Sequence, residues 1–204
     1  WRAVAYACHP DAWGVQIVFD NQVILGTRAR KTRTKSFNAF SSIDYPETAM
    51  FRDRRLIQFL QRPAEYTHAV FSTALDPNVF VLRLVPGMRA DIIPLLEGRY
   101  RALVLESFGV GGLPGGDDGA MFAAVRDWCG AGHLAVFTTQ VPHEGSDLAV
   151  YEVGRAAKAL PGVLEAHDMT PEATAVKLMW VLGQTTDRAE AEKLFLTPVQ
   201  WDIL

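Results

Sequence analysis

The sequence contains few of the residues that build a disulfide framework or a metal site. Two of its 204 residues are cysteines, Cys8 and Cys129, and they lie far apart in the chain. This number and spacing favour two buried, reduced thiols over a disulfide scaffold or a zinc site. The five histidines are scattered, with no HExxH pattern and no pair at helical spacing. We therefore expect no metal site.

Long hydrophobic runs are also missing. No apolar stretch approaches the roughly 18 residues of a membrane-spanning helix, and no basic-then-apolar leader is present; the sequence begins at Trp1. We expect no membrane span and identify no signal peptide. Hydrophobic residues make up 49% and charged residues 21% of the chain, which is typical of a folded globular protein and excludes a mainly disordered one.

Charge is distributed unevenly along the chain. The net charge is −3, but residues 1–62 carry +5 and residues 63–204 carry −8. This asymmetry indicates two units with different surfaces. An irregular stretch from Arg62-Pro63 to Pro77 suggests a linker between them. We predict a first domain over 1–62, a linker over 63–77 and a second domain over 78–204.

The first unit has short, irregular elements. Residues 1–9 have the pattern of a helix end. Residues 15–19 and 23–25 flank an Asp-Asn turn at the distance of a β-hairpin. A basic loop over 26–36 follows, then a polar and aromatic stretch over 37–46 without clear period, and a candidate strand over 56–60. We expect a β-hairpin and a loop, the remnant of a larger α/β domain.

The second unit alternates between strands and helices. Strands are predicted at 79–85, 102–105, 134–137 and 163–166, and helices at 91–96, 120–129, 148–160, 171–182 and 188–196. This alternation predicts a Rossmann-like parallel sheet with right-handed crossovers. Ligands of such sheets bind outside the carboxyl ends of the strands, which here are followed by the loops 86–89, 106–116 and 138–145.

The helix that begins at Pro171 has the clearest signals. Thr170 is a good N-cap residue, and proline fits the first helical position. Four residues at helical spacing lie on one face of this helix, and we predict that this face packs in the core; they are Val176, Met179, Trp180 and Gly183.

Two motifs resemble a nucleotide-binding loop and a hydrolytic triad, but neither meets the requirements of that site. The glycine-rich loop over 109–116 fails the dinucleotide fingerprint, because Pro114 replaces its third glycine, and it lacks a P-loop ending. The segment 143–147 contains serine, histidine and acidic residues, but a hydrolytic triad is assembled from distant segments. We interpret the first as a tight turn and the second as a polar loop that can contact a substrate.

The basic loop allows three interpretations. It carries five cationic residues within eight positions: Arg28, Arg30, Lys31, Arg33 and Lys35. They could form a solvated hairpin arm or a phosphate-binding patch. Alternatively, one lysine crowded by like charges could have a lowered pKa and act as a general base. Composition alone favours the solvated arm.

Several segments together resemble one family. Residues 26–42, GTRARKTRTKSFNAFSS, resemble the lysine loop of bacterial L-asparaginases of the cytoplasmic type I. Further similarity lies in residues 102–114 (ALVLESFGVGGLP), 138–140 (TTQ), 168–174 (DMTPEAT) and 177–180 (KLMW). The resemblance covers nearly the whole chain.

The resemblance implies an enzyme that hydrolyses L-asparagine to aspartate and ammonia without a metal or organic cofactor. A threonine near the start of the N-terminal domain attacks the amide, and a Thr-Asp-Lys group assists proton transfer. The lysine lies five residues after the glycine that opens the loop, which here is Lys31. We expect its amine to be uncharged and shielded, with the neighbouring arginines favouring that state.

The resemblance also implies a homo-oligomer, in which the C-terminal domain of one subunit completes the site of its neighbour. Candidate contributors are Arg89, Glu144 and Asp147, of which an acidic residue could bind the α-ammonium group of the substrate. A cytoplasmic location is implied, and nucleic acid is an unexpected partner. The fold expected is an incomplete N-terminal α/β domain followed by a smaller parallel-sheet C-terminal domain.

The sequence departs from the family pattern in one respect. The segments Thr-Gly-Gly-Thr and His-Gly-Thr-Asp-Thr, which carry the two threonines and the aspartate, do not occur in the 204 residues. We therefore expect a truncated chain without asparaginase activity alone. Two alternatives remain: the asparaginase-like subunit of the amidotransferase that converts Glu-tRNA(Gln), and a non-catalytic dimerising module.

Overall fold

The computed structural model describes residues 1–63, 71–114 and 118–204. The chain divides into two compact units. The first comprises residues 1–73 and 200–202, and the second comprises residues 74–199 and 203–204. Part of the expected linker and residues 115–117 of the glycine-rich segment lie outside the described residues. The predicted α/β class is confirmed, with a parallel four-stranded sheet in the second unit.

The first unit is built on a small antiparallel sheet. Helix α1 (Arg2–Ala7) precedes the hairpin of β1 (Gln16–Phe19) and β2 (Gln22–Leu25), and a second hairpin is formed by β5 (Ala49–Arg52) and β6 (Arg55–Gln58). The sheet order is β1-β2-β5-β6. A separate two-stranded ribbon consists of β3 (Ala29–Lys31) and β4 (Phe40–Ser42).

The sequence pattern predicted the first hairpin and missed three strands. Strands β3 and β4 have three residues each, too short for an alternating pattern to show. Strand β5 reads Ala-Met-Phe-Arg and buries Ala49 and Phe51 on one face. Its partner β6 overlaps the candidate strand predicted over 56–60, and its antiparallel pairing with β5 defines the second hairpin.

The second unit contains the parallel sheet. Its strands are β7 (Val79–Arg83), β8 (Ala102–Ser107), β9 (Leu134–Thr139) and β10 (Val163–Glu165), in the order β10-β9-β8-β7. All six residues of β9 are buried, as are five of the six in β8. Buried central strands with near-continuous apolar residues are typical of a parallel sheet covered on both faces.

Helices cover the two faces of this sheet. One face packs against α2 (Ala120–Gly130) and α3 (Glu152–Lys158), and the other against α4 (Pro171–Gln184) and α5 (Arg188–Leu196). The helix predicted over 91–96 is instead two short 3-10 turns, Ala90–Ile92 and Pro94–Leu96. Pro94 cannot donate a backbone hydrogen bond, which explains the break. The helix predicted from 148 begins at Glu152.

Helix α4 begins as predicted, and its buried face overlaps the predicted one only in part. The Thr170 hydroxyl accepts a 3.1 Å hydrogen bond from the Ala173 N–H, as an N-cap should. The predicted core face is right only in part: Met179 and Trp180 pack against the core, whereas Val176 is 59% exposed. The face that packs on the sheet carries Leu178 and Val181, both fully buried. Both faces of this helix are apolar, so spacing alone does not distinguish them.

Candidate functional site

Lys31 lies at the end of the short β3–β4 ribbon. It is paired with Phe40 across the ribbon, and the loop that joins the strands is closed by Thr32 N–H, which donates to the Ala39 carbonyl at 2.9 Å. The side chain of Lys31 is exposed. The expectation of a shielded amine is therefore not met in this chain, although the ribbon gives the lysine a defined backbone position.

The basic loop is divided between the interior and the surface of the first unit. Arg28 is fully buried, and its Nε donates to the Trp201 carbonyl. Its guanidinium carbon lies 5.5 Å from the centroid of the Tyr45 ring. Arg33 and Lys35 are exposed, as Lys31 is. The loop is thus neither a fully solvated arm nor a continuous phosphate-binding patch, because Arg28 is buried and supports the fold.

The carboxyl edge of the parallel sheet is cross-linked by side chains. The Gln140 amide donates to the Leu84 and Glu106 carbonyls at 2.6 and 2.8 Å, which ties the ends of β7, β8 and β9 together. Ser107 adds a 2.7 Å hydrogen bond to the Thr138 carbonyl. The loops that follow these strands therefore start from a fixed edge, as expected for a binding edge of an α/β sheet.

The loop after β9 presents two of the predicted substrate-binding residues. Glu144 and Asp147 are both exposed, whereas Gly145 and Ser146 between them are buried. A Cβ atom on Gly145 would lie 2.6 Å from the His167 carbonyl oxygen, and the residue has a φ of +67°. Glycine is therefore required for the loop to turn here.

Arg89 is not part of this cluster. It follows β7, the edge strand that is separated from β9 by β8. Its Nη2 forms a 2.8 Å ion pair with Asp91, and its side chain is 80% exposed. The structure thus brings Glu144 and Asp147 onto one loop and leaves Arg89 on another, with its charge already paired.

A buried carboxylate beside this loop was missed by the sequence analysis. The Glu165 side chain is 4% exposed and forms a 2.9 Å ion pair with Lys158 Nζ. Its second oxygen accepts a 2.6 Å hydrogen bond from the Leu148 N–H. The signal was the charged residue within the apolar strand Val-Leu-Glu-Ala, since charged groups on buried strands need partners.

No metal or membrane feature emerges from the part of the chain that the structure describes. Within residues 1–63, 71–114 and 118–204, no three His, Cys, Asp or Glu side chains cluster so that they could hold a metal ion. None of the helices in these ranges combines the length and apolar character needed to cross a bilayer.

Comparison with known proteins identifies both units. Residues 78–195 match the sequence model of the Glutaminase/Asparaginase C-terminal domain, and residues 1–65 match that of Asparaginase, N-terminal. The L-asparaginase of Thermococcus kodakarensis is 38% identical over 182 residues, which cover 89% of this chain and 54% of the relative. The chain thus spans about half the length of this relative.

Two further comparisons agree with this result. A Glutamyl-tRNA(Gln) amidotransferase subunit from Metallosphaera sedula is 33% identical over 178 residues, which cover 84% of this chain and 39% of the relative. The solved structure of the thermostable L-asparaginase from Thermococcus kodakarensis matches with a TM-score of 0.92 and 33% identity, over 100% of this chain and 61% of that one. The chain belongs to the asparaginase family.

Proposed function

We propose that this chain supplies the lysine and the C-terminal domain of an L-asparaginase-type amidohydrolase. Family membership makes amide hydrolysis the expected reaction class. The observation that carries the proposal is the position of Lys31, whose exposed amine lies on a ribbon with fixed strand pairing. An amine in that position can exchange protons with a partner on another segment of the protein.

The nucleophile comes from outside the 204 residues, because the two threonine-containing segments do not occur in them. A threonine hydroxyl would attack the side-chain amide carbon, ammonia would leave with a transferred proton, and water would then release aspartate. Lys31 would serve as the proton-transfer partner of the second threonine. The chain alone is expected to release no ammonia from L-asparagine.

Glu144 and Asp147 are proposed to bind the α-ammonium group of the substrate in a neighbouring subunit. Both are exposed carboxylates on a loop with buried neighbours, which is a suitable arrangement for a charge-assisted hydrogen bond. Arg89 is the weaker candidate, because its ion pair with Asp91 must open before it can bind a carboxylate. Homo-oligomer formation, a cytoplasmic location and the bacterial type I subgroup remain predictions.

A chimera provides the test. The part of the Thermococcus kodakarensis L-asparaginase that precedes its matched region is joined to Trp1 of this chain, and ammonia release from L-asparagine is measured. We expect activity in the chimera, and a loss of about 10²- to 10⁴-fold in kcat in K31M, the range typical of a general acid–base group. The matched control is K35M, since Lys35 is also exposed on this loop. A folded chimera without activity, or equal activity in K31M and K35M, would refute the assignment.

A second candidate function is that of an amidotransferase component acting on charged tRNA. It is favoured by the similarity to the Glutamyl-tRNA(Gln) amidotransferase of Metallosphaera sedula and by the basic character of residues 1–62. Binding of tRNA to this chain, measured by fluorescence anisotropy at rising salt concentration, distinguishes the amidotransferase function from the amidohydrolase function. Strong binding that weakens steeply with salt supports the tRNA function; absence of binding at low salt supports the free amino acid as substrate.

A further inference from the structure

The segment 145–148 is held by a contact at each of its last three backbone N–H groups. Ser146 N–H donates to the His167 carbonyl at 2.8 Å, and Asp147 N–H donates to the Val110 carbonyl at 2.6 Å. Leu148 N–H donates to Glu165 Oε1 at 2.6 Å. The first two acceptors are backbone carbonyls. The third is the carboxylate of a charged side chain, and it can therefore be removed by substitution without altering the backbone.

Glu165 also connects this segment to helix α3. Its Oε2 pairs with Lys158 Nζ at 2.9 Å, and the His167 Nδ1 lies 3.9 Å away. The first turn of α3 packs against Leu148 as well, since a Cβ atom on Gly154 would lie 2.5 Å from the Leu148 carbonyl oxygen. The carboxylate therefore links strand β10 directly to the end of α3 and, through Leu148, to its start.

A buried carboxylate is costly unless its charge and its hydrogen-bonding capacity are both satisfied. Glu165 meets this requirement through one cation and one backbone donor on its two oxygens. The hydrogen bond with Glu165, together with the nearby charge of Asp147, raises the pKa of Lys158. The amine stays protonated at neutral pH, so the pair is present under ordinary conditions.

We propose that Glu165 is a positioning residue. Through its contacts with Leu148 and Lys158 it fixes the segment 145–148, which contains Asp147 and directly follows Glu144. The proposal rests on the proposed function for the claim that this segment binds substrate. Leu148 is fully buried, so its N–H finds no water when the carboxylate is removed. Loss of Glu165 should therefore loosen the segment locally and leave the sheet intact.

Amide hydrogen exchange of the 204-residue chain tests the proposal directly. In E165L, the Leu148 and Asp147 amides should exchange about tenfold faster, because the buried Leu148 N–H loses its acceptor. The Val104 and Val136 amides in β8 and β9 should keep their rates. E152Q is the matched control, since Glu152 is an exposed carboxylate on α3. Unchanged exchange at Leu148, or equal acceleration of segment and sheet, would overturn the proposal.

A milder substitution covers the case in which E165L does not fold. In E165Q the amide oxygen can still accept from Leu148 N–H, but the charge that pairs with Lys158 is lost. The NMR titration of the Lys158 side chain should then shift to lower pH, with a smaller acceleration of Leu148 exchange than in E165L. A titration of Lys158 that is the same in E165Q and in the unsubstituted chain would contradict the proposal.

Kinetic measurements on the chimera distinguish the positioning role of Glu165 from the substrate-binding role proposed for Glu144 and Asp147. Loosening a substrate-binding segment should raise KM for L-asparagine several-fold while kcat changes less, because proton transfer at Lys31 is not altered. Faster exchange at Leu148 together with an unchanged KM would refute the substrate role of Glu144 and Asp147, and would leave positioning by Glu165 supported.

Discussion

Arg28 and Tyr45 form a cation–π pair inside the first unit, with the guanidinium carbon 5.5 Å from the ring centroid. Burial raises the pKa of Tyr45, and the charge of Arg28 partly opposes this increase. The phenol therefore stays neutral at physiological pH and presents its ring to the cation. Arg28 is at the same time bonded to the Trp201 carbonyl through Nε.

We expect R28M to destabilise the first unit by about 2 kcal/mol or more, since the Trp201 carbonyl loses the charged donor of a fully buried side chain. Lysine should not restore the loss, because it lacks the planar guanidinium that contacts the carbonyl and the ring together. Urea unfolding followed by tryptophan fluorescence measures the change. R52M is the control, as Arg52 is exposed. Equal midpoints of urea unfolding for R28M and R52M would contradict the structural role of Arg28.

In the basic loop, the sequence indicated a role for one cation and gave no sign that another is buried. The catalytic role of Lys31 rests on its spacing after Gly26 through a family resemblance and stays a prediction, and the shielded amine expected for it is not observed. The burial of Arg28 was not predicted, because its partner Trp201 is 173 residues away in the chain. Local pattern gives no information on such a contact. The same limit applies to Glu165, whose partners Leu148 and Lys158 precede it by 17 and 7 residues.

Strands and helices of the second unit were more predictable than those of the first. Strands β8 and β9 are apolar over most of their length, and α5 has the predicted bounds Arg188–Leu196. In the first unit the antiparallel strands have three or four residues each, so pairing between distant segments determines them. The candidate residues Glu144 and Asp147 follow from the resemblance, whereas the hydrogen bonds that hold their loop are visible only in the structure.

The ion pair between Asp76 and Arg101 should make the second unit sensitive to acid. Burial alone would raise the pKa of Asp76, but hydrogen bonds from Asn78 and Arg101 and the charge of Arg101 outweigh it and lower the pKa below 3.8. A lowered folded-state pKa contributes stability above the unfolded value, and this contribution is lost as pH falls through the folded value.

Thermal unfolding at pH 6 and at pH 2.5 checks this expectation. D76N should have a lower Tm than the unsubstituted chain at pH 6. The difference should shrink at pH 2.5, because this pH lies below the ordinary pKa of an aspartate and part of the charge-dependent stability is lost there. D91N is the control, because its ion pair with Arg89 is exposed and such pairs contribute little. A Tm difference for D76N that is independent of pH would show that Asp76 acts through packing rather than charge.

Only Cys129 meets the expectation of two buried thiols, because Cys8 is exposed, and the two thiols should therefore differ in reactivity. Burial raises the pKa of Cys129 to about 11, although the charge of Arg188 lowers it slightly, whereas Cys8 is exposed. At pH 8 the thiolate fraction of Cys129 is then on the order of one in a thousand, and the thiolate is the reactive form.

A colorimetric thiol reagent at pH 8 should therefore modify one cysteine per native chain rapidly, and two after unfolding in guanidinium. C8S should abolish the rapid phase and keep the slow one. Two rapid equivalents in the native chain would contradict the burial of Cys129.

Helix α4 provides the sharpest comparison between the predicted and the observed core. Leu178 is fully buried between the helix and the sheet, whereas Val176 is 59% exposed. L178A should lower the free energy of unfolding by about 2–5 kcal/mol, because it removes buried methyl groups and leaves a cavity. V176A should change it by less than about 0.5 kcal/mol, as expected for an exposed position. Chemical denaturation of both variants is followed by circular dichroism. A larger loss of stability in V176A than in L178A would contradict the burial of Leu178 and the exposure of Val176.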